Sequence, residues 1–446
     1  MTRGLMSLGA VLFLGQAIAL GQQTEATAPR TINLHEAVAM ALKHNHVVRI
    51  ASLHVEEEQQ AKEAARSNYF PVLRNDTSFF HVTDTQLIQI PGGALGNGIP
   101  TQPVTINQGG RTFFTSGTQL TQPLTELFKV RAGNDVARAD LDASREKARG
   151  VENDVALKVR QLYYKILVVQ SQHDAVEAKI RAVNEQQGER VQQVKYGSAL
   201  EVEAIESRAQ SLEAKQELLT TKLQLSDLQM QFNDVIGLPI KSEVTLDPNV
   251  QMEPASCQRE ECVKLALDSH PEVKEARAGV EKASAGVREA KREYIPDFEA
   301  FARYSHQNNS VPFLAPDFGT FGVHFGYDFF DGGKKRATLR ERNAQLAQAK
   351  ENLARTNDEV EVKVQMAYNK LERTQQMVAV SQELLVTRKE AQRVSAQQLV
   401  QGAYLRSQAE AATAQEMEAE TLLLQAQLEY TQAKDELTAA IGLGAQ

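Results

Sequence analysis

The chain is written twice, and that duplication constrains its fold more than any single motif does. Glu36-Ala-Val-Ala-Met-Ala-Leu42 returns as Glu261-Cys-Val-Lys-Leu-Ala-Leu267, and Tyr69-Phe-Pro71 returns as Tyr294-Ile-Pro296, both 225 positions later. Further along the offset is 205: Tyr163-Tyr-Lys-Ile166 pairs with Tyr368-Asn-Lys-Leu371, Gly197 with Gly402, and Ile236-Gly-Leu238 with Ile441-Gly-Leu443. The first copy therefore carries twenty extra residues between Pro71 and about Gln122. A length change of that size is tolerated in a surface loop and not in a packed element. A duplicated unit of this size fixes the architecture before any motif is read.

Residues 1–21 contain one charge, Arg3, and an apolar run from Leu5 to Leu20 ending in Ala19-Leu20-Gly21. This pattern predicts a cleaved secretory signal peptide. No cysteine lies near that site, which excludes a lipid-anchored N-terminus. Losing Arg3 takes the net charge from −8 to −9, which argues against a nucleic-acid partner. No later stretch has the eighteen or so apolar residues of a membrane-spanning helix. The two cysteines, Cys257 and Cys262, sit at the join between the copies. In an oxidising compartment they are either a local disulfide or two free thiols at a helix start, and the sequence leaves both open.

Each copy reads as two helices, two strands, a very long helix and a return helix. Residues 22–31 form an N-terminal tail and 32–239 the first repeat, with strands at about 72–82 and 113–124. A linker covers 240–257, and the second repeat covers 258–446, with strands at about 297–306 and 318–329. Pro71 and Pro296 end the second helix of each copy, because the residue before proline is pushed towards extended geometry. The hydrophobic period then switches to two. Phe321, Val323, Phe325, Tyr327 and Phe329 alternate with Gly322, His324, Gly326 and Asp328. Ser116, Thr118, Leu120, Gln122 and Leu124 repeat this weakly in the first copy, with Leu73, Phe79, Phe298 and Tyr304 on neighbouring strands. The glycine-rich loop from Thr83 to Thr112 (Gly92, Gly93, Gly96, Gly98, Gly109, Gly110) holds the extra length.

No proline occurs between Pro123 and Pro239, and Leu339, Leu346, Leu353 and Val360 recur every seven residues as a coiled-coil seam. Helices from Glu126 to about Gln193 and from Asp331 to about Gln398 would be ~100 Å long at 1.5 Å per residue. They break once per copy, at Tyr196-Gly197-Ser198 and Gln401-Gly402-Ala403. Strands of about ten residues match a tilted barrel strand, and strands span lipid only as a closed barrel. Four cannot close. Eight leave a filled interior and twelve a lumen, so three chains would give a barrel continued by a hollow helical cylinder.

The chain resembles the TolC-type outer-membrane efflux protein family from about Thr31 to Gly444. The resemblance is carried by the opening Ile32-Asn-Leu-His-Glu-Ala-Val-Ala-Met-Ala-Leu42 and by two strand-to-helix junctions. These are Leu120-Thr-Gln-Pro-Leu124 with Lys129 and Arg131, and Tyr327-Asp-Phe-Phe-Asp-Gly-Gly-Lys-Lys335. Tyr196-Gly-Ser-Ala-Leu200 and Gln401-Gly-Ala-Tyr-Leu405 resemble the family's periplasmic turns. The resemblance implies an α-helical and β-barrel fold: as a homotrimer, a 12-stranded barrel over a 12-helix tunnel. It also implies outer-membrane location, docking on a periplasmic adaptor and an inner-membrane pump, and export of drugs, metals, small molecules or polypeptides. Gly197, Ser198, Gly402 and Ala403 would then form the adaptor-docking end.

In well-known relatives, aspartates six and nine residues after the second glycine narrow the entrance. Here those positions are Gln408 and Ala411, while Glu203 and Glu206 hold the equivalent places in the first copy and Glu410 is adjacent in the second. Those acids read equally as a solvated coiled-coil face. Tyr404 and Arg406 complete the gate candidates. Phe321, Val323, Phe325 and Tyr327 are expected to face outer-membrane lipid.

Gly332-Gly333-Lys334-Lys335 lacks the Ser or Thr of a phosphate loop, and reads instead as a turn whose Lys334, Lys335 and Arg336 reach lipid headgroups. His44 and His46 lack a third metal ligand, and the remaining histidines form no cluster. No nucleophile–base or carboxylate pair sits in a catalytic context, so the chain reads as a non-enzyme without cofactor. The alternatives are a periplasmic adaptor, which would have one hairpin flanked by β-rich domains, and a structural coiled coil, which would need no strands.

Overall fold

A computed structural model describes residues 30–81, 83–84, 87–107, 112–249, 257–307 and 315–444. The signal segment 1–21, most of the 22–31 tail, and Gly109 and Gly110 lie outside the described residues. The chain runs β1 (Arg30–Ile32), α1 (Leu34–His44), α2 (His46–Ser67), β2 (Val72–His81), β3 (Leu87–Ile90), β4 (Val104–Asn107), β5 (Thr112–Pro123), α3 (Leu127–Lys195) and α4 (Glu201–Ile236). The second copy follows β6 (Val244–Leu246) as α5 (Arg259–Ser269), α6 (Pro271–Arg292), β7 (Asp297–Gln307), β8 (Asp317–Gly326), α7 (Lys334–Val400) and α8 (Arg406–Ile441).

Local chemistry sets the breaks. The Asn33 side chain accepts the Glu36 N–H at 2.8 Å and starts α1. Asn45 ends α1 and caps α2 by accepting the Val47 N–H, while its amide donates to the Val235 carbonyl at 3.0 Å. His270 stands at the same place in the second copy, where Nδ1 accepts the Glu272 N–H at 3.3 Å and Pro271 occupies the first helical position.

α3 and α7, at 69 and 67 residues, run from the sheet to the far helix turns, the whole length of the helical part. Towards one end α2 and α6 pack beside them, and towards the other α4 and α8 do, giving one helical layer in the order α4–α3–α8–α7. The sheet is fully antiparallel in the order β2–β5–β7–β8, with Leu73 opposite Leu120, Thr118 opposite Tyr304 and Phe298 opposite Phe325.

The core lies midway along the helices, on one face of the layer. Tyr163, Phe232 and Ile236 pack there with Ile32 and Leu246, beneath α1 and the β1–β6 pair. Burial pushes the Tyr163 phenol up to about 12, and its hydroxyl donates to the carbonyls of Ile32 and Asp247. The second copy builds an equivalent cluster from Cys262, Ala266, Val360, Val364 and Ile441. Cys257 and Cys262 are joined there as a disulfide with Cα atoms 5.6 Å apart, so the disulfide alternative holds.

Several elements differ from expectation. The tail and linker contribute β1 and β6, which pair in parallel with Arg30 opposite Val244. The long first-copy loop contains the β3–β4 hairpin, with Ile88 opposite Ile106. β8 ends at Gly326 and not near residue 329, so Tyr327 lies beyond the strand, its ring 5.2 Å from that of Phe329. Lys335 does not reach outwards with Lys334 and Arg336. Its ammonium sits 5.3 Å from the Tyr327 ring centre and 3.8 Å from Asp328, because Asp331 accepts the N–H groups of Gly333 and Lys335 and folds the junction back.

Candidate functional site

The two helix turns farthest from the sheet have the same geometry. Gly197 and Gly402 adopt φ of 71° and 72°, the left-handed region that glycine enters without steric cost. Gly197 N–H donates to Val194 and Ser198 N–H to Gln193; Gly402 N–H donates to Leu399 and Ala403 N–H to Gln398. Both are Schellman closures that satisfy the last carbonyls of α3 and α7 before the chain reverses.

The contacts behind the turns differ between copies. In the first, Arg190 donates to Glu203 at 3.0 Å, closing α3 on α4. In the second, the start of α8 is held by α3. Glu189 accepts the Ser407 N–H at 2.9 Å and also takes the Ser407 hydroxyl, and Ser407 is 8% exposed. Arg406 approaches Glu185 at 3.7 Å with its side chain 68% exposed. Gln408 accepts the Leu405 N–H and so caps its own helix. Glu206 is exposed and Tyr404 half-buried. Neither makes a hydrogen bond or ion pair among the described residues. Arg406 and Glu203 thus meet partners, while Glu185, Glu189 and Arg190 are the contributors that sequence reasoning missed. A carboxylate suits a helix N-terminus, yet only the register of α3 against α8 shows that Glu189 supplies it.

At the opposite end, the strand registers sort side chains onto two faces. One carries Leu73, Phe79, Leu120, Phe298, Tyr304, Phe321, Val323 and Phe325. Phe79 packs against Phe114 and Phe298 against Phe325 with tilted rings, each pair with ring centres 4.9 Å apart. In the middle of this face Asn75 donates to Ser116 and Thr118, Thr77 donates to Asn75, and Thr77 and Ser116 share a further hydrogen bond, so this polar patch is satisfied internally. The other face carries Arg74, Asp76, Gln119, Glu299, Arg303 and His324. Among the described residues no helix is long and apolar enough to cross a membrane, and no cluster of metal ligands is present.

The outer membrane efflux protein model matches residues 37–237 and 262–443, both copies and most of the chain. The chain belongs to that family. It is a TolC-like protein of the Gram-negative outer membrane. The outer membrane efflux protein BepC of Brucella suis is 23% identical over 282 residues, which span 61% of this chain and 60% of BepC. Among solved structures, the CmeC outer membrane channel of Campylobacter jejuni has a TM-score of 0.75 at 14% identity, over 99% of this chain and 94% of its own. The outer membrane protein VceC of Vibrio cholerae has a TM-score of 0.73 at 14% identity, covering 93% of this chain and 97% of its own. The fold is therefore shared with these members across nearly the whole length.

Proposed function

We propose that three copies of this chain close into a channel-tunnel that exports small molecules, drugs, metals or polypeptides. It would work with a periplasmic adaptor and an inner-membrane pump. The observation that carries this reading is that both lateral edges of the protomer are unpartnered. β2 and β8 are end strands. An open edge in lipid leaves backbone donors and acceptors unpaired, at several kcal/mol each. Below them α4 exposes Ile205, Leu212 and Leu219 at seven-residue spacing, and α7 exposes Met377, Val380 and Leu384. The two edges differ, so they join head to tail, and such contacts close a ring. Three chains give twelve strands, the number that leaves a lumen.

On this reading the aromatic strand face, with Phe321, Val323 and Phe325, meets lipid and the charged face lines the pore. The turns at Gly197, Ser198, Gly402 and Ala403 form a ring of six that docks the adaptor, and the Glu189–Ser407 and Arg406–Glu185 contacts hold it shut. The two helical hairpins and the four-stranded sheet favour this reading over the adaptor and structural coiled-coil alternatives. Native mass measurement of the detergent-purified protein tests the assembly. A trimer is expected, and a stable monomer or dimer would refute the twelve-stranded barrel.

A further inference from the structure

The helical layer has one covered face and one bare face, and the bare one carries a groove along α3 between α4 and α8. Its two stretches enclose about 670 and 560 Å³. Tyr163 marks the covered side, where α1 and the β1–β6 pair lie. At ~100° per residue, Gln161, Lys165 and Gln172 fall within about 20° of diametrically opposite Tyr163.

In a closed trimer the covered face must be the outer one. Twelve helices side by side at ~10 Å give an axis-to-axis diameter of ~38 Å and a clear bore of ~28 Å. Three copies of α1 and α5, each ~10 Å across, would fill that bore. The groove therefore faces the lumen. From Gln161 to Gln186 it extends ~38 Å along α3.

Its chemistry is unusual for a charged coiled coil. Six of the sixteen residues lining the larger stretch are glutamines: Gln161, Gln172, Gln224, Gln231, Gln425 and Gln432. The charges there are Lys158 and Lys165 against Asp227 and Glu429, which cancel. In the second stretch Lys179 is paired with Glu217 at 2.7 Å, leaving Glu418 as the one unbalanced charge among its lining residues. Equal numbers of opposite charges leave the larger stretch without net charge, and solvent ions screen the remaining field within a Debye length of ~8 Å, well short of the axis of such a bore. Each glutamine amide offers both a donor and an acceptor, and so can hydrogen-bond to water, an anion or a cation.

We infer that this glutamine-lined section makes the tunnel indifferent to the sign of its cargo, passing anionic, cationic and uncharged polar solutes alike. This rests on the trimeric channel proposed above. The test places a single thiol in the groove with Gln172→Cys or, on a different helix, Gln425→Cys; both native cysteines are already bonded to each other. Reconstituted trimers are exposed to cationic and anionic methanethiosulfonates, and the modification rates are read as loss of conductance and normalised to a free thiol. Rates within about threefold of each other are expected, since a near-zero local potential concentrates neither reagent. A preference above about tenfold for either sign would overturn the inference, because it requires a strong local field. So would conducting trimers in which neither thiol reacts, since the groove would then face elsewhere. If the unsubstituted protein forms no trimer, the channel reading itself fails, and a native gel distinguishes that case.

Discussion

Removing the Glu189 carboxylate should loosen the tip more than removing any other side chain near the turns. Glu189 spans from the first hairpin to the second, accepting both the Ser407 N–H and the Ser407 hydroxyl at the first turn of α8. A hydrogen bond to a charged group contributes ~1.5–3 kcal/mol net when buried. Ser407 is buried but Glu189 only half so, which favours the low end. Loss of both bonds in Glu189→Ala should then cost ~2–3 kcal/mol per protomer, about 30- to 150-fold in the closed-to-open ratio.

The Arg406–Glu185 pair is 3.7 Å apart with side chains 68% and 40% exposed, and so is worth at most ~1 kcal/mol, or about fivefold. Ser407→Ala removes the hydroxyl bond but keeps the N–H bond, and should fall between. Single-channel recordings in planar bilayers read the effect as open probability. Uptake of a bulky antibiotic by cells reads it independently. Wild-type conductance from intact Glu189→Ala trimers would refute the latch, and so would a larger effect from Arg406→Ala.

Three further outcomes follow from the same geometry. Phe321→Arg, midway along β8 on the face shared with Phe298, should cost ~2–4 kcal/mol and lower trimer yield, whereas Thr320→Arg on the opposite face should insert normally; a lower yield from Thr320→Arg than from Phe321→Arg would show the facing to be inverted. Gly402→Val meets no atom within 4 Å, so its cost is backbone strain of ~1–2 kcal/mol at positive φ, and export with adaptor binding should fall while the trimer remains, as pull-down and efflux assays would show. Burial, reinforced by the Lys363 and Arg149 cations and opposed by Glu272, holds the His270 imidazole below its ordinary range, so the unfolded chain binds the proton first. The stabilising contribution is complete above an unfolded pKa of ~6.5 and is lost as pH falls below it; trimer melting measured from pH 7 to 5 should show a smaller drop for His270→Asn, which copies Asn45, than for wild type.

The repeat, the helix boundaries and the tip turns were legible because each is written in local chemistry. Pro71 and Pro296 interrupt helices, Gly197 and Gly402 close them, and a seven-residue seam marks α7. What was hidden depends on contacts distant in sequence. β1 and β6 have three residues each, too few for a period, and pair across the whole first repeat. The β3–β4 hairpin did carry a signal, alternation at Ile88, Ile90, Val104 and Ile106, but its glycine- and proline-rich connection reads as loop. Tyr327 continues the alternation of Phe321, Val323 and Phe325 and so reads as strand. Only the cap made by Asp331 shows that the chain has already turned towards α7. At the tip, counting residues after each glycine found Glu203, and the side chains beside the second turn suggested Arg406, but neither pointed to Glu189, because the tie joins different hairpins.

Equal lengths in the two copies explain where the sequence tolerates change. α1 and α5 have 11 residues each, α2 and α6 have 22, and α4 and α8 have 36. Each extra residue in α8 would advance its end by ~1.5 Å and rotate it by ~100°, so three would shift the tip by ~4.5 Å and swing Ser407 off Glu189. The ring of turns therefore fixes the lengths of α4 and α8 and the tip ends of α3 and α7, whose difference of 69 against 67 residues lies at the sheet end. The β2–β5 connection is subject to no such condition. It leaves the sheet at the end remote from the tips, and loop closure costs only ~0.6 kcal/mol per doubling of length. The twenty residues by which the copies differ lie there, where neither the barrel register nor the plane of the tips is disturbed.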